Sequence, residues 1–529
     1  VRPALLVKNS QFSTKSLVQL PTMPAPSSPR PGSRSLYQDL RARIADGSYA
    51  AGAALPSTRA LAAERGLSRG TVSLVYEQLA ADGFVDTRAG AATRVAAGAA
   101  DRIATPRAAA HAQGNAPDSR RLSAFAQRLQ GIPARPPAPD AAGMIDFVYG
   151  PLAGSDFPTL HWTKALRQAE GQRGQRLDYE APQGNTTLRQ ALQKHLHQTR
   201  GIRCSTAQIL VVNGSQHALD LCARLLLNPG DPVVVENPGY RMAQQVFEAY
   251  GAQLLCADVD DDGLQTAQLP ALSAEARPKL LYVTPSHQFP LGGYLPIARR
   301  HALLDWAAAQ GCWVIEDDYD SDYRYTVRPE PSLQSLDNAD CVIHVGTFSK
   351  TLSPQLRLGY MVLPPALAGL FAQAKQLADR HSASGPQRAL AQLMEDGSYT
   401  RHVRRMRRKQ HARQHALLGA LDKHLGTRVR IQGAASGLHL SVWFPALPAS
   451  QEAQLVQAAA QRGVRVYPIS PLYLDGSRTQ AQPAEAGLVM GYALLEQPEI
   501  ERGVQRLAEA LKSLPWSESV RHPTAGNAC

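Results

Sequence analysis

Lys350 closes the segment Gly346-Thr-Phe-Ser-Lys350, just after the apolar run at residues 341–345. The pattern predicts a buried strand that ends and delivers one lysine into a cleft. Burying a lysine charge is costly, and desolvation lowers the pKa of the amine until it can form a Schiff base. Arg357 stands seven residues downstream, and Ile315-Glu-Asp-Asp-Tyr-Asp320 lies upstream, past a second apolar run at 312–315. This order of lysine, upstream carboxylate and downstream arginine is what pyridoxal phosphate requires. The amine holds the aldehyde, an upstream aspartate holds the pyridinium nitrogen, and the guanidinium pairs with the phosphate.

Such residues need a sheet to position them. Ile209-Leu-Val-Val212 leads into Asn-Gly-Ser215-Gln216 and a helix through about Leu227. Pro232-Val-Val-Val235 leads into Asn237-Pro-Gly-Tyr240, and Leu280-Leu-Tyr-Val283 into Thr284-Pro-Ser-His287-Gln-Phe-Pro290. Strands ending at Ile315 and Val345 follow. The alternation predicts an α/β fold with a largely parallel sheet, helices on both faces, and ligands at the carboxyl ends of the strands. Every residue named for chemistry is expected just after a strand end. From about Leu370 onward, helices and weaker strands predict a smaller second lobe.

A different kind of domain precedes this one. Leu36, Leu40 and Ile44 recur at helix spacing, with Tyr37 on the same side. Pro56-Ser57 opens a second helix, and Ser68 caps a third whose apolar face is Val72, Val75, Tyr76 and Leu79. Gly83 ends it, and short strands at 84–88 and 93–96 follow. Three helices and a hairpin, with a short turn between the second and third helices, predict a winged helix-turn-helix. Ser57, Arg59, Ser68, Arg69 and Thr71 sit at the starts of its second and third helices. There, polar side chains and helix N-termini can hold DNA phosphates while the third helix enters the major groove.

The chain divides into an N-terminal arm (1–34), the helical domain (35–97), an Ala/Pro/Arg-rich flexible linker (98–143), the α/β domain (144–515) and a tail (516–529). The arm lacks a signal peptide's apolar core, and its first methionine is Met23, so part of it reads as an over-extended gene start or as a disordered arm. The 529 residues carry a net charge of +12, which suits a polyanionic partner. Six cysteines show no metal-ligand spacing and read as reduced core residues. No metal site is expected, and no apolar run approaches the length of a membrane span.

Taken together, these motifs resemble the MocR/GabR-type (PdxR-like) branch of the GntR family of bacterial regulators. Those proteins fuse a winged helix to a domain resembling fold-type I (class I) aminotransferases. The segments that carry the resemblance run from Leu36 to about Pro515. They include Leu55-Pro-Ser-Thr-Arg59, Tyr76-Glu-Gln-Leu79, Asn237-Pro-Gly-Tyr240, Glu316-Asp-Asp-Tyr-Asp320 and Gly346-Thr-Phe-Ser-Lys350. The resemblance implies that Lys350 holds the cofactor's aldehyde, Asp317 its pyridine nitrogen and Tyr319 its phenolic oxygen, with Tyr240 stacked on the ring. Ser215, Gln216, Thr347, Ser349 and Arg357 form the phosphate cup, and Tyr179 reaches the partner subunit's phosphate. His287 either touches the cofactor or shapes its turn.

Two departures stand out. The wing tip reads Gly90-Ala-Ala-Thr-Arg94, where a Gly-Ser-Gly-Thr-Phe-like sequence is usual; Arg94 replaces an apolar anchor and could instead reach a phosphate. The segment Gly487-Leu-Val-Met-Gly-Tyr492 lacks the arginine that clamps the substrate carboxylate in aminotransferases; Arg241, Arg465 or Arg478 are possible substitutes. The basic segment 401–409 places Arg401, Arg404, Arg405 and Arg408 on one helical face, either as a solvated face or as a second DNA-tracking surface. The resemblance implies a cytoplasmic, homodimeric regulator that binds double-stranded operator DNA and senses pyridoxal phosphate or an amino compound, with at most partial transamination. A working aminotransferase with a DNA-binding appendage is the rival reading, and a domain using the cofactor as a structural plug is the third.

Overall fold

The computed structural model describes residues 32–88, 91–99, 122–133, 143–171, 178–326, 331–474 and 484–514. It divides into two compact units, 1–118 and 119–529.

The first unit holds helices α1 (Ser33–Ala45), α2 (Thr58–Arg65) and α3 (Arg69–Ala81) and the antiparallel pair β1 (Val85–Asp86) and β2 (Arg94–Val95). Its core is the expected apolar set, with Leu36, Leu40, Ile44, Val72, Val75, Tyr76 and Leu79 all buried. Ser57 and Ser68 cap α2 and α3 as expected, their hydroxyls accepting from the Ala60 and Thr71 amides at 3.2 and 3.1 Å. The first helix begins at Ser33, two residues before the expected domain boundary.

The predicted linker is not wholly a linker. Helix α4 (Ala124–Gln130) lies inside it, capped by Ser123. Its Phe125 ring sits 4.8 Å from that of Tyr250, and Arg128 Nε donates to the Ala249 carbonyl at 2.8 Å. The rest of 98–143, apart from a few residues at each end, lies outside the described residues, as do the C-terminal tail and nearly all of the N-terminal arm.

After β3 (Ile145–Asp146), the second unit builds an eight-stranded sheet. Its strands are β4 (Ile209–Val212), β5 (Pro232–Asn237), β6 (Gln253–Asp260), β7 (Gly263–Leu264), β8 (Leu280–Val283), β9 (Trp313–Asp318), β10 (Val342–Thr347) and β11 (Gly359–Val362). They lie in the order β4-β11-β10-β9-β8-β5-β6-β7. The inner ladders β10/β9, β9/β8, β8/β5 and β5/β6 are parallel; β11 runs antiparallel between β10 and β4. The sheet is therefore mixed and mostly parallel. Its four-residue strands β4 and β8 are buried throughout, as strands covered on both faces must be.

A smaller lobe follows, with a sheet ordered β12 (Arg430–Gln432), β13 (His439–Pro448), β16 (Glu485–Gly491) and β15 (Tyr467–Pro468). Strand β14 (Val464–Arg465) pairs in parallel with β3, so the chain leaving the linker region joins this lobe first. The long helix Ser398–His424 packs on it, and buried Arg413 ties it to Asp156 at 2.6 Å. The five described cysteines are unpaired. No described helix is long and apolar enough to cross a membrane.

Candidate cofactor site

The site lies where β8, β9 and β10 end together. Register places Val345 beside Asp317 and Tyr282 beside Ile315. The strands run further than the apolar runs predict. Asp317 is thus inside β9 rather than after it, and Thr347 is the last residue of β10. Lys350 follows, its Nζ donating to the Gly150 carbonyl at 2.9 Å. Gly150 has φ +107, and a Cβ there would come to 3.4 Å from that Nζ, so the turn at Gly150 is shaped around the lysine.

Asp317 is buried. Its Oδ2 accepts from the Tyr282 hydroxyl at 2.8 Å, while its Oδ1 has no partner among the described residues. Burial pushes its pKa up to about 6, with Asp318 adding to the rise and the Tyr282 hydrogen bond opposing it. A buried carboxylate with one unfilled oxygen is costly unless a cationic donor completes it. A protonated pyridine nitrogen is such a donor, so the residues present fit pyridoxal phosphate. Its neighbour Asp318 is different. Burial alone would raise its pKa, yet Arg200, at 2.7 Å, and His344 hold it well below the usual carboxylate range.

The expected phosphate groups converge. Ser215 and Gln216 open the helix Ser215–Leu226, whose N-cap is Gly214 at φ +83. A Cβ on Gly214 would meet Arg357 Nη2 at 2.9 Å. Arg357 itself has φ +50 and donates to the Asn213 carbonyl at 2.7 Å. Thr347 pairs with Gly359 across β10/β11, and a Cβ on Gly359 would lie 3.1 Å from Gly214 Cα. Ser349 N–H donates to Thr347 Oγ1 at 3.1 Å, which folds that loop toward the same point. Free helix N–H groups beside a guanidinium make an anion site.

Tyr240 caps the helix Arg241–Tyr250 and meets Phe289 edge-on at 5.8 Å. The hydroxyl of Tyr319 lies 3.0 Å from both Nδ1 and the carbonyl of His287. His287 Nδ1 also lies 2.9 Å from Asp320 Oδ2, so the imidazole is locked behind Tyr319. Tyr179 is 68 % exposed, with Arg380 over its ring.

Several site residues escaped the sequence reading. Tyr282 was hidden in an apolar run, where its polar tip was the only signal. Gly150 contributes a carbonyl, which no side-chain motif announces. His287, Asp320 and His439 bring ligand-type atoms within 4.8 Å of one another, although no metal site was expected. Burial, with repulsion from His287, pushes the His439 pKa down to about 3, so this ring is neutral near pH 7.

The two described candidates for the carboxylate clamp are already held in ion pairs. In the segment that lacks the clamp arginine, Val489 of β16 lies in an apolar cluster with Phe289, Leu291, Trp443, Ile469 and Leu472. Arg241 is paired with Glu248 at 3.3 Å and Arg465 with Asp146 at 3.2 Å. Arg478 lies outside the described residues.

In the first unit, Arg59 and Arg69 are exposed at helix starts and pair with no carboxylate among the described residues. Thr71 Oγ1 lies 2.8 Å from Ser68 Oγ. Arg94 donates from Nη1 to the Gly52 carbonyl at 2.8 Å, and so fastens the wing to the preceding loop. Leu74, 65 % exposed on α3, was not anticipated as a surface residue of that helix.

Residues 33–95 match the model of bacterial regulatory proteins of the gntR family, and 145–507 that of class I and II aminotransferases. The chain is 34% identical to a probable rhizopine catabolism regulatory protein, MocR, of Rhizobium meliloti, over 92% of this chain and 95% of that one. It is 32% identical to a 2-aminoadipate transaminase of Thermus thermophilus, over 70% of this chain and 91% of that one. Among solved structures, a kynurenine aminotransferase of Pyrococcus horikoshii superposes with a TM-score of 0.64 at 29% identity, over 74% of this chain and 95% of that one. The transaminase and the solved structure thus match about the aminotransferase-like part, while the regulator matches nearly end to end. The chain belongs to the gntR family of bacterial regulatory proteins, in the branch that joins the DNA-binding domain to a class I/II aminotransferase domain.

Proposed function

We propose that this regulator binds pyridoxal phosphate on Lys350 and Asp317 and uses it to sense an amino compound or the cofactor itself. The observation that carries the reading is the buried, unpartnered Oδ1 of Asp317 on the strand next to the one that delivers Lys350. When bound, the cofactor supplies an aldehyde that condenses with primary amines and a ring that accepts electrons. Arg357 and the helix at Ser215 and Gln216 hold its phosphate, with Thr347 and Ser349 shaping the cup. Tyr240 covers the ring. His287 and Asp320 orient the Tyr319 hydroxyl toward the ring's phenolic oxygen. Tyr179, exposed in a single chain, serves a second subunit's phosphate, so the working unit is a homodimer, and as a regulator of its family it works in the cytoplasm. Ser57, Arg59, Ser68, Arg69 and Thr71 face a repeated or palindromic operator.

A working aminotransferase is the second reading, favoured by the likeness to 2-aminoadipate transaminase and by the presence of Lys350, Asp317 and Tyr319 together. The ion-paired Arg241 and Arg465 and the apolar surroundings of Val489 weigh against efficient turnover of amino acids. Visible absorbance with candidate amines, run beside operator binding and a keto-acid assay, separates the readings. A sensor shifts absorbance and DNA affinity without product. An enzyme releases keto acid, and a structural plug does neither.

A further inference from the structure

The helix Ser398–His424 carries Arg401, Arg404, Arg405 and Arg408 at spacings of three and four, all exposed on one face. None pairs with a carboxylate among the described residues. Arg401 donates to Ser398 Oγ at 2.8 Å and Arg405 to His402 Nδ1 at 3.1 Å. The arrangement is unfavourable on two counts. Like charges three and four residues apart destabilise a helix by about 0.2–0.5 kcal/mol per pair. Cations near a helix N-terminus also oppose the macrodipole, and a single carboxylate, Asp396, whose Oδ1 accepts from the Ser398 amide at 2.7 Å, offsets them there. A face that only had to be solvated would need neither.

The four arginines also do not lie on a flat surface. They rim a groove of about 440 Å³, with His161 of the helix Thr159–Gly171 facing them and Pro158, Leu352 and Leu393 in its lining. No carboxylate lines it. Its walls are fixed: Tyr399 donates to Thr351 Oγ1 at 3.1 Å, and His402 Nε2 lies 2.8 Å from the Thr351 carbonyl. The volume is that of a small-molecule pocket, and planar guanidinium forks match phosphate oxygens two at a time. Converging arginines around a short concavity suit a compact polyanion better than a long duplex backbone.

We propose that this groove binds a small molecule carrying two or more linked phosphates, at a site that shares no residue with the cofactor's phosphate cup. The test uses full-length protein saturated with pyridoxal phosphate, so that the cup at Arg357 is filled. Inorganic pyrophosphate and ADP are titrated calorimetrically in parallel at about 0.15 M salt. Saturable binding is expected, weakened by about tenfold or more when Arg404→Gln and Arg408→Gln remove two charged donors. Operator affinity and its salt dependence should stay unchanged. ADP binding tighter than pyrophosphate would identify a nucleotide ligand, and equal binding a bare oligophosphate. Both outcomes support the site. Should the glutamine pair misfold, Arg404→Lys with Arg408→Lys keeps the charge, loses the fork, and should still weaken binding. Absence of saturable binding by either probe, or binding indifferent to all these substitutions, overturns the proposal. So does a glutamine pair that loses operator salt dependence while binding pyrophosphate like the parent, because the face would then track DNA.

Discussion

Replacing Asp317 by asparagine should stabilise the cofactor-free protein while crippling its cofactor binding. Burial raises this carboxyl from 3.8 to about 6. At about 1.4 kcal/mol per unit, the ionised form costs the fold roughly 3 kcal/mol at pH 7. The sign follows from the raised value. Below about pH 4 both folded and unfolded chains carry the proton and the penalty is nil. It grows as pH rises from about 4 to about 6 and is constant above that. Asparagine still accepts from Tyr282 and exchanges one unpartnered oxygen for one unpartnered amide, so only the charge is lost. Urea unfolding of cofactor-free protein should therefore show the variant more stable by up to roughly 3 kcal/mol at pH 7.5, with the gain vanishing near pH 4. Spectroscopic titration should show pyridoxal phosphate bound about 10- to 100-fold more weakly, the loss of one hydrogen bond between charged groups. A variant less stable than the parent at pH 7.5, or a stability change independent of pH, would refute the reasoning.

The neighbouring Asp318→Asn should do the opposite. It breaks a buried pair with Arg200, so it should cost about 3 kcal/mol in urea unfolding, less whatever Asp322 recovers, with a smaller effect on the cofactor. Gly214→Ala forces a Cβ against Arg357 at a positive φ, and should weaken both cofactor binding and stability by about 1–2 kcal/mol. Arg59→Ala and Arg69→Ala should each weaken specific and non-specific DNA alike and flatten the salt dependence by about one counterion. Thr71→Ala should lower discrimination by about 1–3 kcal/mol per lost base contact and leave the salt slope alone, as read by binding at several salt concentrations.

Strands were legible where apolar runs give way to polar motifs, because a buried strand declares itself by composition and its end by the change. That logic set Lys350 just past a strand end, as the fold has it, but ended β9 at Ile315, three residues short of Asp318. Acidic residues continue β9 because Tyr282, Arg200 and the strand ladders satisfy them, and no local pattern reports partners so distant in sequence. The helix at 124–130 was illegible for a similar reason. It is only seven residues long, and what holds it is one ring against Tyr250 and one bond to the Ala249 carbonyl. Arg94 could be seen to depart from the usual wing, but its carbonyl partner 42 residues earlier could not. The basic face at 401–408 was visible in sequence; the groove beneath it required the facing helix.

The most direct measurement is borohydride reduction of the protein loaded with pyridoxal phosphate, followed by mass analysis of its peptides. The reduced cofactor should be found on the peptide bearing Lys350 and on no other, and should vanish in Lys350→Ala. A label distributed over other lysines, or surviving in that variant, would contradict the assignment on which this account rests.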